Sequence, residues 1–86
     1  MYSIELSRTA ESVYRWLFKH DRKLFARIDA ALEFLKQDPF QGKPLKGHFQ
    51  GDRSYRVGSH RIIYTIVRQR LLVYILDIGH RREVYR

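Results

Sequence analysis

No cysteine occurs anywhere in the 86 residues. That single absence removes disulfide staples, thiolate zinc sites and cysteine nucleophiles together, and it agrees with a reducing cytoplasm. Long apolar runs are missing too. The longest, Ile62–Val67 (broken by Thr65) and Leu71–Leu76, fall far short of the about 20 residues that a membrane helix needs. Met1–Leu6 runs straight into Ser7, Arg8 and Glu11, so no secretion signal of the basic, apolar, small-residue kind is expected. There is no P-loop, no nucleophile elbow and no G-x-G-x-x-G turn, which leaves nucleotide hydrolysis and dinucleotide chemistry unsupported. His20, His48, His60 and His80 never form an H-x-x-x-H pair, so neither a metal nor another cofactor is expected. A chain this short makes one domain, residues 1–86, with a thin core. The expectation is a soluble, cytoplasmic domain with no membrane partner.

Negative charge is scarce in one half only. Residues 1–40 carry seven Lys and Arg against six Asp and Glu, whereas residues 41–86 carry ten against three. The balances are +1 and +7, summing to the chain's formal charge of +8. Self-repulsion on that scale costs stability, so a concentrated basic half points to a polyanionic partner. A basic surface kept for solubility is the plainer alternative. A membrane surface would call for the cations on one amphipathic helix, and here they fall among strands and turns.

Tyr2, Ile4 and Leu6 alternate with Ser3 and Glu5, the period of a half-buried strand. Ser7 supplies a helix N-cap hydroxyl with acidic Glu11 in the early turns. Ala10, Val13, Trp16 and Leu17 then mark a helix to about Lys19, with Trp16 expected in the core. His20-Asp21 breaks it. Leu24, Phe25, Ile28, Ala31, Leu32 and Leu35 form the apolar stripe of a second helix, Arg22 to Gln37, which Asp38-Pro39 ends. After a connector, Phe40–Asp52, come three strands: Ser54–Val57, His60–Val67 and Leu71–Ile78. Short turns at Gly58-Ser59 and Arg68-Gln69-Arg70 imply an antiparallel meander. The expected fold is α+β in the order β-α-α-β-β-β, an antiparallel sheet with a helical hairpin packed on one face. Tyr2, Tyr14, Tyr55, Tyr64 and Tyr74 are expected to pack.

Strand parity sorts the arginines. Ile62, Tyr64 and Ile66 read as core, so Arg61 lies on the other face; Tyr55 and Val57 leave Ser54 and Arg56 there as well. Arg81 follows Gly79 at the end of the last strand. Three guanidiniums at one end of an open face can fork onto phosphate oxygens and stabilise charge in a phosphoryl-transfer transition state. Each alone could equally be an edge residue that deters aggregation. His60 and His80 each precede an arginine of the cluster. Beside a phosphate they could act as general base or acid, or simply complete a turn. Tyr85 could stack on a base or anchor the tail.

Leu45-Lys46-Gly47, the block Tyr55-Arg56-Val57-Gly58-Ser59-His60-Arg61-Ile62-Ile63-Tyr64, and the ending Ile78-Gly79-His80-Arg81-Arg82-Glu83-Val84-Tyr85-Arg86 resemble the RelE/ParE superfamily of toxin–antitoxin toxins. The resemblance spans essentially the whole chain and leans to the RelE side. It implies a ribosome-dependent endoribonuclease (an mRNA interferase) that cuts mRNA in the ribosomal A site and is restrained by a cognate antitoxin protein. By position, Arg56 matches a basic residue of the first meander strand, Arg61 the phosphate-binding arginine, Arg81 the arginine after the last strand and Tyr85 the tyrosine that stacks on the target base. Lys43, Lys46, Arg53, Arg82 and Arg86 are assigned to RNA binding. Two departures follow. Ser54 replaces a second basic residue, and Arg56 stands where RelE has its proton-accepting lysine. Arginine, with a pKa above about 12, is a poor base, which brings His60 and His80 forward. A ParE-like gyrase inhibitor without nuclease activity is the competing expectation.

Overall fold

A computed structural model describes residues 1–47 and 50–80. Strand β1 (Ser3–Leu6) leads through one residue into α1 (Arg8–His20), and Asp21 alone separates α1 from α2 (Arg22–Gln37). Ser7 serves twice at the first junction. Its hydroxyl oxygen accepts the Ala10 N–H at 3.1 Å, capping α1, while its O–H donates to the Leu76 carbonyl at 2.7 Å. Asp21 caps α2 by accepting the Leu24 N–H at 3.1 Å. One helix is thereby stitched to the sheet, and both helices start at side-chain caps.

A 3₁₀ turn, Pro39–Gln41, leads into β2 (Lys43–Pro44), followed by β3 (Asp52–Val57), β4 (His60–Val67), a second 3₁₀ turn at Arg68–Arg70 and β5 (Leu72–His80). The five strands lie in the order β1-β5-β4-β3-β2. The helical hairpin covers one face, where Ala10, Leu17, Ile28, Leu32 and Leu35 meet Val57, Ile62, Tyr64, Val73, Ile75 and Ile78. The α+β architecture and the one-sided helical cover agree with the sequence reading. At its ends, no helix among the described residues is long and apolar enough to cross a membrane.

Three expectations need correction. The sheet is mixed, because β1 pairs parallel to β5 while the other ladders are antiparallel. The cause is β2, a two-residue edge strand hidden in the connector. Each short connection reverses the chain, and β2 adds one reversal, turning β1 and β5 from antiparallel to parallel. Pro44, lacking an N–H, suits that edge position. Trp16 is 56% exposed rather than buried. It lies well round the helix from the Ala10, Val13 and Leu17 stripe and stacks its ring near His20 at 4.9 Å. Tyr74 sits on the face away from the helices, opposite Thr65 and Glu5.

A β-bulge sets the geometry that matters most. Tyr64 pairs with Ile75 but Ile63 pairs with Asp77, so Leu76 is an extra residue in β5. Strict alternation from Val73 and Ile75 would put Asp77 inside and Ile78 outside. The bulge reverses the parity: Ile78 is buried, and Asp77 turns to the open face.

Candidate nucleic-acid interface

The β3–β4 hairpin places the arginines. Its two-residue turn is Gly58-Ser59, with Gly58 at φ 62° and Ser59 on the negative side. That is the arrangement of a II′ turn, which matches the twist of the flanking strands and wants glycine first. The turn fixes the register, so Arg56 stands opposite Arg61, and Arg61 opposite Gly79. One rung toward the sheet's other end, Lys43, Ser54, Ile63 and Asp77 line up across four strands. Two guanidiniums directly across a strand pair repel one another, and the pair stands on the face away from the helical hairpin. Arg61 Nη1 donates to Ser54 Oγ at 3.3 Å. Arg56 Nε donates to the Gly58 carbonyl at 3.0 Å, which folds its side chain along the turn. Ser54 thus occupies the position of the missing basic residue by orienting a guanidinium. Gly79 puts no side chain opposite Arg61.

The histidines go elsewhere. His60 shares its face with Val57 and Ile62, and His80 shares its face with Ile78, all on the helix side. The two imidazoles form an edge-to-face pair, ring centroids 5.7 Å apart and planes at 77°. His60 lines a cavity of about 290 Å³ with Asp21, Lys23, Leu24, Arg27, Val57 and Ser59. The sheet therefore lies between both histidines and the Arg56–Arg61 rung. Standing next to an arginine in a strand puts a side chain on the opposite face.

Arg53 is also spoken for. Its Nη1 donates to the Gly42 carbonyl at 2.7 Å and the Phe40 carbonyl at 3.2 Å, and the guanidinium lies 5.3 Å from the Phe40 ring centroid. Beneath it, fully buried Tyr64 donates its O–H to the Pro39 carbonyl at 2.6 Å and accepts the Gly42 N–H at 2.9 Å. Burial raises the Tyr64 hydroxyl pKa, against smaller lowering contributions from the Gly42 hydrogen bond and Arg53. These contacts hold the start of β2, and with it Lys43, on the open face. Lys46 is exposed on the loop beyond. Burial likewise raises the Asp52 carboxyl, opposed by a hydrogen bond from Thr65.

Arg81, Arg82, Tyr85 and Arg86, as well as His48, lie outside the described residues. Among the described residues no three metal-ligating side chains gather. Parity reasoning found Arg56, Ser54 and Arg61. It did not place Asp77, whose face depends on a bulge with no sequence signature.

Residues 4–85 match the family described as the ParE toxin of the type II toxin–antitoxin system, parDE. Toxin YoeB of Synechocystis is 38% identical over 74 residues, covering 80% of this chain and 86% of that protein. Toxin RelG of Mycobacterium tuberculosis is 36% identical over 66 residues, 76% of each chain. Among solved structures, the toxin–antitoxin complex RelBE2 from Mycobacterium tuberculosis superposes with a TM-score of 0.73 at 33% identity, covering 93% of this chain and 98% of that one. A YoeB/ParE toxin from Agrobacterium tumefaciens shares the fold at a TM-score of 0.83 and 20% identity, over 91% of this chain and 96% of that one.

Proposed function

The chain belongs to the ParE family of type II toxin–antitoxin toxins, within the RelE/ParE superfamily, and from that premise we propose that it is a ribosome-dependent endoribonuclease cutting mRNA in the A site. The observation that carries this reading is the Arg56–Arg61 rung beside Ser54 and Gly79. It offers paired guanidiniums on a face that neither described helix covers. The 2′-oxygen attacks the adjacent phosphorus, the bond from phosphorus to the 5′-oxygen breaks, and a proton moves from the first oxygen to the second by way of the site. Arg61 and Arg81 hold the phosphate and the charge that builds on it, Arg56 adds a third cation, and Tyr85 stacks on the target base. Lys43, Lys46, Arg82 and Arg86 bind the flanking backbone. Arg53 supports that binding from behind, through Gly42.

The proton steps belong to the open face, where the register brings Lys43 and Asp77 onto the rung next to the arginines. His80 is separated from them by the sheet. His80→Gln is therefore expected to keep the wild-type single-turnover rate and the same pH–rate profile from pH 5 to 9 on programmed ribosomes. Loss of the acidic limb in that variant would return the histidine to catalysis.

The relative from Mycobacterium tuberculosis was solved as a toxin–antitoxin complex. By that likeness the partner of this chain is a cognate antitoxin, an acidic or amphipathic segment laid across the domain, and the working compartment is the cytoplasm. Co-expression with the neighbouring gene should restore growth that the chain alone arrests.

Electrostatic recognition of RNA carries its own signature. About four phosphate contacts on a single strand, at roughly 0.7 each, give a log–log slope of affinity against salt near −3. A filter-binding titration between low and physiological salt measures it, and a flat response would remove the basic half from the interface.

A further inference from the structure

Lys23 and Arg27 stand one turn apart on the same side of α2, an arrangement of like charges that destabilises a helix. No ion pair among the described residues relieves it. Both line the cavity of about 290 Å³ at the tip of the β3–β4 hairpin, on the helix side of the sheet. Arg27 is exposed, and its guanidinium reaches the hairpin tip. Its Nη1 and Nη2 come within 3.1 and 3.2 Å of the point where a Cβ on residue 58 would stand, while Gly58 itself is called for by its positive φ. Arg27 also lines the neighbouring cavity of about 380 Å³ with Tyr55 and Arg56. The guanidinium thus bridges two hollows. Ser59 and His60 complete the first with a hydroxyl and an imidazole, Ser59 Oγ lying 3.4 Å from His60 Nδ1. One carboxylate, Asp21, also lines the wall, its Oδ1 accepting the Leu24 N–H at the start of α2.

We propose that this hollow is a second phosphate site, in which Lys23, Arg27 and Ser59 hold a backbone phosphate of ribosomal RNA. The proposal rests on the ribosome-directed reading above. Ammonium, guanidinium and hydroxyl donors around one cavity recognise a phosphodiester. The source is ribosomal RNA rather than the substrate strand because the cavity lies on the helix side of the sheet, the opposite face from Arg61. An mRNA held at the arginine rung occupies one face, and a protein inside an RNA-walled site meets other phosphates on its far side. The two basic surfaces join around the hairpin tip through Arg56, whose Nε binds the Gly58 carbonyl.

The test compares the full chain with Lys23→Gln/Arg27→Gln, titrated across salt against vacant ribosomes and against a single-stranded RNA oligonucleotide. The double variant should bind vacant ribosomes about tenfold more weakly, with a salt slope smaller by about 1, while oligonucleotide affinity moves less than about twofold. A melting curve checks the fold. Should the double variant melt early, Lys23→Gln alone carries the same comparison with a smaller loss, and Lys23→Arg should restore it. Unchanged ribosome affinity and slope overturn the proposal. So does an equal loss on the oligonucleotide, which assigns the hollow to the mRNA path. Weakened antitoxin binding with intact ribosome binding also overturns it, since the anionic partner is then a protein. A wild-type chain that ignores vacant ribosomes, yet cuts nothing on programmed ones, fails the functional reading itself, and that result appears before any variant is made.

Discussion

Arg61→Ala should lower single-turnover mRNA cleavage on programmed ribosomes by about 10²–10³, the usual loss when one donor to a transition-state oxyanion is removed, worth about 2.7–4 kcal/mol. Arg61 sits at the centre of the open-face rung, flanked by Arg56 and Gly79 and oriented through Ser54 Oγ. Its side chain fills no part of the helix-covered core. The melting temperature should therefore move little. Arg81→Ala should match it in rate, and Arg61→Lys should recover only part, because an ammonium cannot fork onto two phosphate oxygens. Ser54→Ala gives a graded control, since it leaves the guanidinium present but loosened. Wild-type rates in both arginine variants would move the active site elsewhere. Unfolding of both would make the rung structural.

Tyr64→Phe should produce the largest loss of stability at a single polar atom. The hydroxyl is completely buried and satisfies two backbone groups at once, the Pro39 carbonyl at 2.6 Å and the Gly42 N–H at 2.9 Å. Phenylalanine preserves the packing and strands both partners. Each buried group left without a partner costs about 1–3 kcal/mol, so a total of about 2–6 kcal/mol is expected. At roughly 4–8 °C per kcal/mol for a domain of this size, the melting temperature should fall by at least about 8 °C. Faster amide exchange at Gly42 would locate the damage. The same hydroxyl should give an alkaline signature. Burial raises its pKa, so the folded state keeps the phenol proton more tightly than the unfolded chain does. Its contribution is complete below the unfolded value of about 10 and is lost as the pH climbs through the folded one. A loss under about 0.5 kcal/mol in Tyr64→Phe would mean that the connector holds without this bridge.

Much of this was legible in the residues because periodicity reports burial directly. The stripe of Ile28, Leu32 and Leu35 and the alternation of Ile62 and Tyr64 placed the helical hairpin and the sheet face it covers. The same alternation put Arg56 and Arg61 on the open side, and Gly58-Ser59 announced the turn that sets them opposite each other. Applied consistently, it would also have put His60 on the covered face, one residue out of phase with Arg61, instead of beside the cluster. His80 was harder. With unbroken alternation from Val73 and Ile75 it would share the arginine face, and only the extra residue Leu76 turns it away. A bulge is set by how the ladder closes, and in this strand neither glycine nor proline advertises it. The parallel pairing of β1 escaped for a similar reason. Two residues, Lys43 and Pro44, make too short a strand for any period to register, yet they reverse the chain once more. Trp16 misled because apolar character was read without its angular position on the helix.

The central claim is tested most directly by supplying the purified chain with mRNA in three states: free, on ribosomes with an empty A site, and on ribosomes whose A site is filled by tRNA. The account predicts cleavage only with the empty A site, leaving a 2′,3′-cyclic phosphate and a 5′-hydroxyl, and no cleavage by Arg61→Ala under the same conditions. Intact mRNA in all three states, together with inhibition of DNA supercoiling by gyrase, would contradict it and make the arginine rung part of a binding surface on this fold.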